Sequence, residues 1–428
     1  MEFNAASDIK KYNINISLVP SYISYSLAQK ILFIGETVSI LRSQYSSADK
    51  KMEESPMNSV FSGKEKEFIE KLTKLQQDTA FRPYELEKIV DEMRSSVMEY
   101  LWRLAVTESD LYGQLKLIKD FYLLSQGELF VEFLRKADSI LYKPLAHTTG
   151  RILNYSLQQA VQSIGLSERQ SLDKFEFVVP NKKDITVESN VFYFLRLDYK
   201  THWPLQLLFT PEVLHNYNVM FLFLLRIKKI QIDLHNIWLK DVKQKEKKCW
   251  KVAWQLRTGL MYLIDNLQYY LQVDVLETEF SALMKSASEI KDFEKVQQMH
   301  SVFLAKVLTH SFVSFVEVPQ KKTAANGSSQ SEKQPKMKAH PVNACLMKIF
   351  SVCEKYIVLM PLNESPSLEQ ELQVLLDRYY QQLGILIISM SELTSRNTNY
   401  KHLNQFILRL DYSNWFTNKF DLSKYVHL

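Results

Sequence analysis

Only nine glycines and twelve prolines punctuate this chain of 428 residues, where average usage would place about 30 and about 20. These are the residues that shape turns and destabilise helix interiors. A chain so poor in both has few places to stop a helix, so long helices are expected over most of its length. The 46% hydrophobic and 24% charged content is that of an ordinary globular protein, and the length suits about two to four domains' worth of core.

Apolar spacing locates the helices. Leu27, Ile31, Ile34, Val38 and Leu41 recur every three or four residues, which predicts an amphipathic helix over 24–42. Residues 11–20 alternate like a short strand, and 43–63 read as a solvated loop. After Pro83, a stripe from Leu86 to Leu104 continues through Leu111, Leu115, Ile118 and Tyr122, predicting two helices or one bent near 107–113. A further helix starts at Leu129 and must stop by Pro144. FEFVVP and VFYFLRLDY, between Phe175 and Tyr199, form the one credible β-hairpin. Helices are also expected through Leu256 to Leu271, over 367–391 and over 399–410. The tract 319–341 holds no large aliphatic residue and is expected to be a disordered insertion between two helices.

The seven-residue apolar run Val219 to Leu225 ends abruptly at Arg226. It is far short of the roughly 20 residues a membrane-spanning helix needs. Thr210, Pro211 and Glu212 supply an N-cap, an N1 proline and an early carboxylate ahead of it. Phe223, Ile227, Ile230, Leu234 and Ile237 then continue a heptad-like seam. Met220, Leu222 and Leu224 lie off that seam, which predicts a helix buried on more than one side, a support beneath a binding surface more than the surface itself.

The sequence offers little chemistry. No glycine-rich phosphate loop, HExxH, GxSxG elbow or caspase-type cysteine context occurs, which argues against an enzyme, a cofactor and a metal site. Cys249, Cys345 and Cys353 are odd in number and widely spaced, as free thiols of a reducing compartment would be. The N-terminus shows no signal-peptide pattern. A net charge of +5 is too mild to argue for nucleic acid, and the basic run 240–248 is diluted by Asp241 and Glu246, so it reads as a solvated loop. Aromatic groups such as Trp250 with Trp254 and Tyr269 with Tyr270 have no coincident basic face and read as core or protein-interface anchors. Residue patterns alone therefore lead to a large, mostly helical, non-enzymatic interaction protein.

Five stretches, in order, resemble the gamma-tubulin complex component family. They are VPSYISYSLAQKILFIGETV at 19–38, EYLWRLAVTESDLYGQLKLIKDFYLLSQGELFVEFL at 99–134, WPLQLLFTPEVLHNYNVMFLFLLRIKKIQIDLHNIW at 203–238, LIDNLQYYLQVDVLETEF at 263–280 and LRLDY at 408–412. The resemblance implies a mostly α fold of stacked helical bundles. It implies that 1–115 is the C-terminal remnant of an N-terminal lateral-contact domain and that 116–428 is a C-terminal gamma-tubulin-binding domain. The implied function is a non-catalytic scaffold of the gamma-tubulin complex that supports microtubule nucleation at microtubule-organising centres such as the centrosome and spindle pole. Gamma-tubulin and other components are its implied partners, with no nucleic acid and no membrane insertion. A helical tether of vesicle trafficking would share the composition and is the alternative. Within the implied binding domain, Arg257, Asn266, Gln268, Tyr269 and Asp274 lie along a motif-matching helix and are the expected gamma-tubulin contacts, Tyr and Arg being common interface anchors. Tyr269 and Tyr270 read equally well as packing between helices.

Overall fold

The computed structural model describes residues 14–15, 18–20, 22–48, 64–77, 82–143, 150–165, 172–179, 191–201, 203–243, 251–313, 315–317, 337–361, 366–396, 400 and 402–413. It is mostly α-helical and divides into two compact units. One comprises Met1–Tyr112, Trp203–Leu205 and Ser286–Met299, and the other Gly113–His202, Gln206–Lys285 and His300–Leu428.

In the smaller unit, α1 (Tyr25–Ala48) and α2 (Glu65–Gln77) both pack on α3 (Pro83–Arg103). Leu27 and Ile34 of α1, Phe68 of α2 and Val97 and Leu101 of α3 are buried. The first helix therefore runs past its expected end into the segment read as a loop, and α2 lies just beyond that segment. A π-helical turn, Leu104–Glu108, and Asp110 with φ of 47° break the stripe after α3. That is where the bend is expected. Of the strand expected over 11–20, residues 14–15 and 18–20 are described and none of them is strand, while 11–13 and 16–17 lie outside the described residues.

The larger unit is built around α7 (Pro211–Lys243). Its start is as the sequence predicts: Thr210 Oγ1 accepts the Val213 amide at 3.4 Å, Pro211 opens the helix, and Glu212 sits in the first turn. The whole seam Phe223, Ile227, Ile230, Leu234 and Ile237 is buried, and so are Tyr217, Met220, Phe221, Leu224 and Leu225 on other sides of the helix. One side of α7 meets α5 (Gly127–Leu141) and the paired strands. Another meets α11 (Pro341–Leu359), where Phe223 lies 6.1 Å from Phe350 and Arg226 bonds Glu354 at 2.8 Å. Phe221 closes an aromatic cluster with Tyr122, Phe130 and Phe177.

Strands β1 (Phe175–Val178) and β2 (Arg196–Tyr199) pair antiparallel, Phe177 opposite Leu197, with Phe175, Phe177, Leu197 and Tyr199 on the buried face. The VFYF that read as strand is instead a short 3-10 turn, Val191–Phe194, leading into β2. In such a pair alternate residues aim their amide and carbonyl away from the partner strand, and buried backbone groups must still be satisfied. Two asparagines do this. Asn154 of α6 (Gly150–Ile164) accepts the Phe177 amide at 2.7 Å and donates to its carbonyl at 3.3 Å. Asn218 of α7 does the same for Leu197, at 2.8 and 2.9 Å. Gly150 permits this approach, since a Cβ there would stand 2.7 Å from the Phe177 carbonyl.

A second antiparallel pair, β3 (Phe315–Glu317) and β4 (Met337–Ala339), is one the sequence did not announce. Of the tract expected to be disordered, 337–339 are thus strand and Pro341 opens α11; residues 318–336 lie outside the described ones. The remaining helices of this unit are α4 (Leu111–Tyr122), α8 (Lys251–Tyr269), a π-helical continuation Tyr270–Glu277, α12 (Pro366–Arg396) and α13 (Leu403–Leu410), while α9 (Thr278–Glu289) and α10 (Phe293–His310) complete the described helices. No helix of the described residues is long and apolar enough to cross a membrane.

Candidate protein-binding face

Helix α8 packs its apolar stripe, Leu256, Leu260, Leu263, Ile264 and Leu267, against α7 and α12. At about 100° per residue, that stripe fixes the phase of the helix and hence what the opposite side carries. Trp254, Thr258, Tyr262, Asp265 and Tyr269 fall within an arc of roughly 80°, and all five are exposed. The aromatic members are large and only half covered: Trp254 is 47% exposed, Tyr262 49% and Tyr269 51%. Val273 in the π segment and Leu408 and Tyr412 at and after α13 add further exposed apolar surface.

Beside this stripe lies a groove of about 900 Å³ whose walls include Lys251, Trp254, Tyr262, Tyr379, Tyr380 and Leu410. Gly259 sets its floor. The Tyr379 ring rests on that glycine and its hydroxyl donates to the Gly259 carbonyl at 2.8 Å. Gln255 donates to the Tyr380 hydroxyl at 2.7 Å, joining α8 to α12 along the rim. Lys251 is exposed and has no ion-pair partner among the described residues.

Of the five residues expected to contact a partner, the structure brings together Tyr269 and Asp274. Arg409 of α13 joins them: its guanidinium reaches Asp274 at 3.0 and 3.5 Å and lies 4.4 Å from the centre of the Tyr269 ring. The i→i+5 winding of the π segment turns fewer degrees per residue than an α-helix, so Asp274, which an unbroken helix would carry round among the buried leucines, meets α13 instead. Asn266 is half-buried and donates to the Tyr262 carbonyl one turn back at 2.8 Å. Gln268 lies on the flank of the helix, half-buried, with its Oε1 buried and no hydrogen-bond partner among the described residues. Arg257 lies on the same flank, is 7% exposed and is committed to an ion pair with Asp241 at the end of α7.

The two adjacent tyrosines separate cleanly. Tyr270 is fully buried, stacked 4.8 Å from Phe406 and 6.2 Å from Phe312, and its hydroxyl donates to the His310 carbonyl at 2.9 Å. Burial pushes its hydroxyl pKa well above the usual phenol value. Tyr269 points to solvent. Sequence reasoning left Trp254 undecided between core and interface anchor, and it missed Tyr262, Leu408 and Arg409 as members of this face. Trp254 and Tyr262 were legible in principle, because the buried stripe of α8 implies its opposite side; Arg409 was not, because only the fold brings it to Asp274.

No group of three or more His, Cys, Asp or Glu among the described residues is placed to hold a metal ion. Cys345 and Cys353 are buried free thiols, with burial pushing the pKa of both upward. What this face presents is aromatic surface, a groove and a few charges, the composition of a protein contact.

Comparison with known proteins agrees over both units. Residues 111–416 match the family description Gamma tubulin complex component C-terminal, and residues 4–108 match Gamma tubulin complex component N-terminal. The chain is 33% identical over 437 aligned residues to Gamma-tubulin complex component 4 of Mus musculus and likewise of Homo sapiens, with 96% of this chain covered. It is 25% identical over 286 residues to Spindle pole body component alp6 of Schizosaccharomyces pombe, covering 64% of this chain and 32% of that protein. The aligned region spans 61% of the mouse and human relatives. With both family descriptions matched in succession and this level of identity, the chain belongs to the gamma-tubulin complex component family.

Proposed function

We propose that the chain is a non-catalytic scaffold subunit of the gamma-tubulin complex, that residues 116–428 bind gamma-tubulin through the α8 face, and that residues 1–115 serve lateral contact with other components. The observation that carries the binding assignment is the exposed aromatic arc Trp254, Tyr262 and Tyr269 beside a formed groove, on a helix whose opposite side is fully buried. Half-exposed aromatics in a cluster are the residues that most often dominate binding energy. The division near 115 is supported by the two family matches, which meet between 108 and 111, and by the compact units, which part at Tyr112 and Gly113.

Components arrayed side by side, each holding one gamma-tubulin, raise the local concentration of tubulin-binding surfaces and so reduce the entropic barrier to the first lateral contacts of a microtubule. The nucleotide chemistry of that process belongs to the tubulins. Such a subunit works at the cytoskeleton and its microtubule-organising centres, the centrosome and spindle pole. Of the five original candidates, Tyr269 is the one assigned direct contact; Asn266, Gln268 and Asp274 flank it, and Arg257 supports the fold through Asp241. The vesicle-tether alternative draws no support from the relatives, and binding of the chain to liposomes in flotation is what would revive it.

The test is equilibrium binding of purified gamma-tubulin to the whole chain. Trp254→Ala and Tyr269→Ala are each expected to weaken binding by about tenfold or more, the loss typical of a central aromatic anchor, with helix content unchanged. No binding by the unmodified chain at micromolar concentration would sink the proposal, and full binding by both variants would move the contact elsewhere.

A further inference from the structure

We propose that Arg409 is the positioning residue of the α8 face: by gripping Asp274 and Tyr269 it fixes α13, and with it the Leu410 wall of the groove. Asp274 therefore serves binding through Arg409, and Tyr269 serves it both directly and through Arg409. This rests on the reading of the face as the gamma-tubulin contact.

Helix α13 cannot place itself. It has eight residues, and no side-chain hydrogen bond caps its start at His402. Helices this short are not stable in isolation, so tertiary contacts decide where it lies. Leu403, Phe406 and Leu410 bury its apolar side, but apolar contact has no direction of its own and tolerates sliding. Within α13, the directional contacts described converge on Arg409. The Arg409 guanidinium reaches both carboxylate oxygens of Asp274, at 3.0 and 3.5 Å, in the two-pronged arrangement that fixes orientation as well as distance. It lies 4.4 Å from the centre of the Tyr269 ring, within cation–π range. The Arg409 carbonyl accepts the Tyr262 hydroxyl.

These three anchors come from two turns of α8 and from the π segment, so they triangulate α13 against the binding face itself. The Asp274 side chain is only 16% exposed and that of Arg409 28%, so water screens the pair less than a surface ion pair. The next residue, Leu410, is a wall of the groove, and Leu408 and Tyr412 are the exposed apolar residues α13 adds to the face. A shift of α13 thus alters groove width and exposed surface together.

The experiment uses the whole chain with Arg409→Met, Asp274→Asn, the double variant Arg409→Met/Asp274→Asn, and the charge exchange Asp274→Arg/Arg409→Asp. Two quantities are read: amide hydrogen exchange over 403–410 without partner, and affinity for purified gamma-tubulin. Each single variant is expected to speed exchange in α13 and to weaken binding by about tenfold, as loss of one partner of a half-buried ion pair does. The double variant should bind no worse than either single one, and the charge exchange should recover much of both signals. A merely structural role for the pair would speed exchange in the single variants and leave their affinity where it was. Arg409→Lys, which keeps the charge but not the fork, gives an intermediate loss and serves if Arg409→Met does not fold. Unchanged exchange in Arg409→Met, faster exchange with unaltered affinity, or additive losses in the double variant would each overturn the proposal. If the unmodified chain fails to bind gamma-tubulin, the proposed function falls, and the exchange measurement alone still decides whether Arg409 fixes α13.

Discussion

Gly259 sits in the middle of α8, where replacing a glycine by alanine ordinarily stabilises a helix by about 1 kcal/mol. Here the opposite sign is expected. A Cβ at 259 would stand 2.9 Å from Tyr379 Cε1, 3.2 Å from its hydroxyl and 3.3 Å from Cζ. Tyr379 is only 3% exposed and its hydroxyl bonds the Gly259 carbonyl at 2.8 Å, so the ring cannot swing aside freely. Forcing an extra methyl into packed surroundings costs about 1–3 kcal/mol, and loss of the hydroxyl bond adds about 1 kcal/mol. Set against the gain in helix propensity, Gly259→Ala should destabilise the larger unit by about 1–3 kcal/mol. Urea unfolding followed by circular dichroism measures this, the midpoint falling at constant slope. Adding Tyr379→Leu removes the obstacle, so the two substitutions should be strongly non-additive. Because the displaced ring is a wall of the groove, gamma-tubulin affinity should fall as well. Stabilisation of the single variant by about 1 kcal/mol, the value for an unobstructed helical glycine, would refute the reasoning.

Other perturbations probe the layers beneath the face. Ile230→Asp places a carboxylate at a position 3% exposed; lost apolar burial plus an unpaired buried charge exceeds about 5 kcal/mol, comparable with a whole domain's stability, so helix content and binding should vanish together, whereas Tyr269→Ala should weaken binding and leave helix content unchanged. Asn218→Ala orphans the Leu197 amide and should cost about 1–3 kcal/mol by thermal unfolding; Asn218→Asp, which keeps the acceptor for that amide, should recover part of the loss. His300 is buried between Phe209 and Phe303 with Tyr217 Oη 2.8 Å from its Nε2, and burial lowers its pKa from 6.5 to about 4. The unfolded chain therefore takes up a proton in that interval that the folded one refuses, and stability should fall by about 3 kcal/mol between about pH 6.5 and about pH 4. His300→Gln should flatten that slope in pH-dependent denaturation, and an unchanged slope would assign it to other groups.

Much of the fold was readable before any coordinates. The spacing of Phe223, Ile227, Ile230, Leu234 and Ile237 located the longest described helix, and the surplus apolar residues around it told of burial on several sides, because hydrophobic periodicity directly records which side of a helix leaves water. Thr210, Pro211 and Glu212 marked its start for an equally local reason: a cap satisfies backbone groups within one turn. The VFYF segment misled because β-branched and aromatic residues also suit a buried 3-10 turn, and strand pairing is settled by partners distant in sequence. Helices α2 and α6 were passed over although Phe68, Leu72 and Leu75 in one and Leu153, Leu157, Val161 and Ile164 in the other recur at helical spacing.

The site divides along the same line. Sequence by itself determined that α8 is a helix with a leucine stripe, and Tyr269 was named as an aromatic on a motif-matching stretch; that Trp254, Tyr262 and Tyr269 share the side opposite the leucines follows from the helical period alone. Only the tertiary structure could separate Tyr269 from Tyr270, retire Arg257 into an ion pair with Asp241, and bring Arg409 across 135 residues to Asp274. Local spacing sets which way a side chain points. Which charge or ring awaits it there depends on how the helices pack, and a long-range pair such as Arg409 with Asp274 leaves no trace in either neighbourhood taken alone.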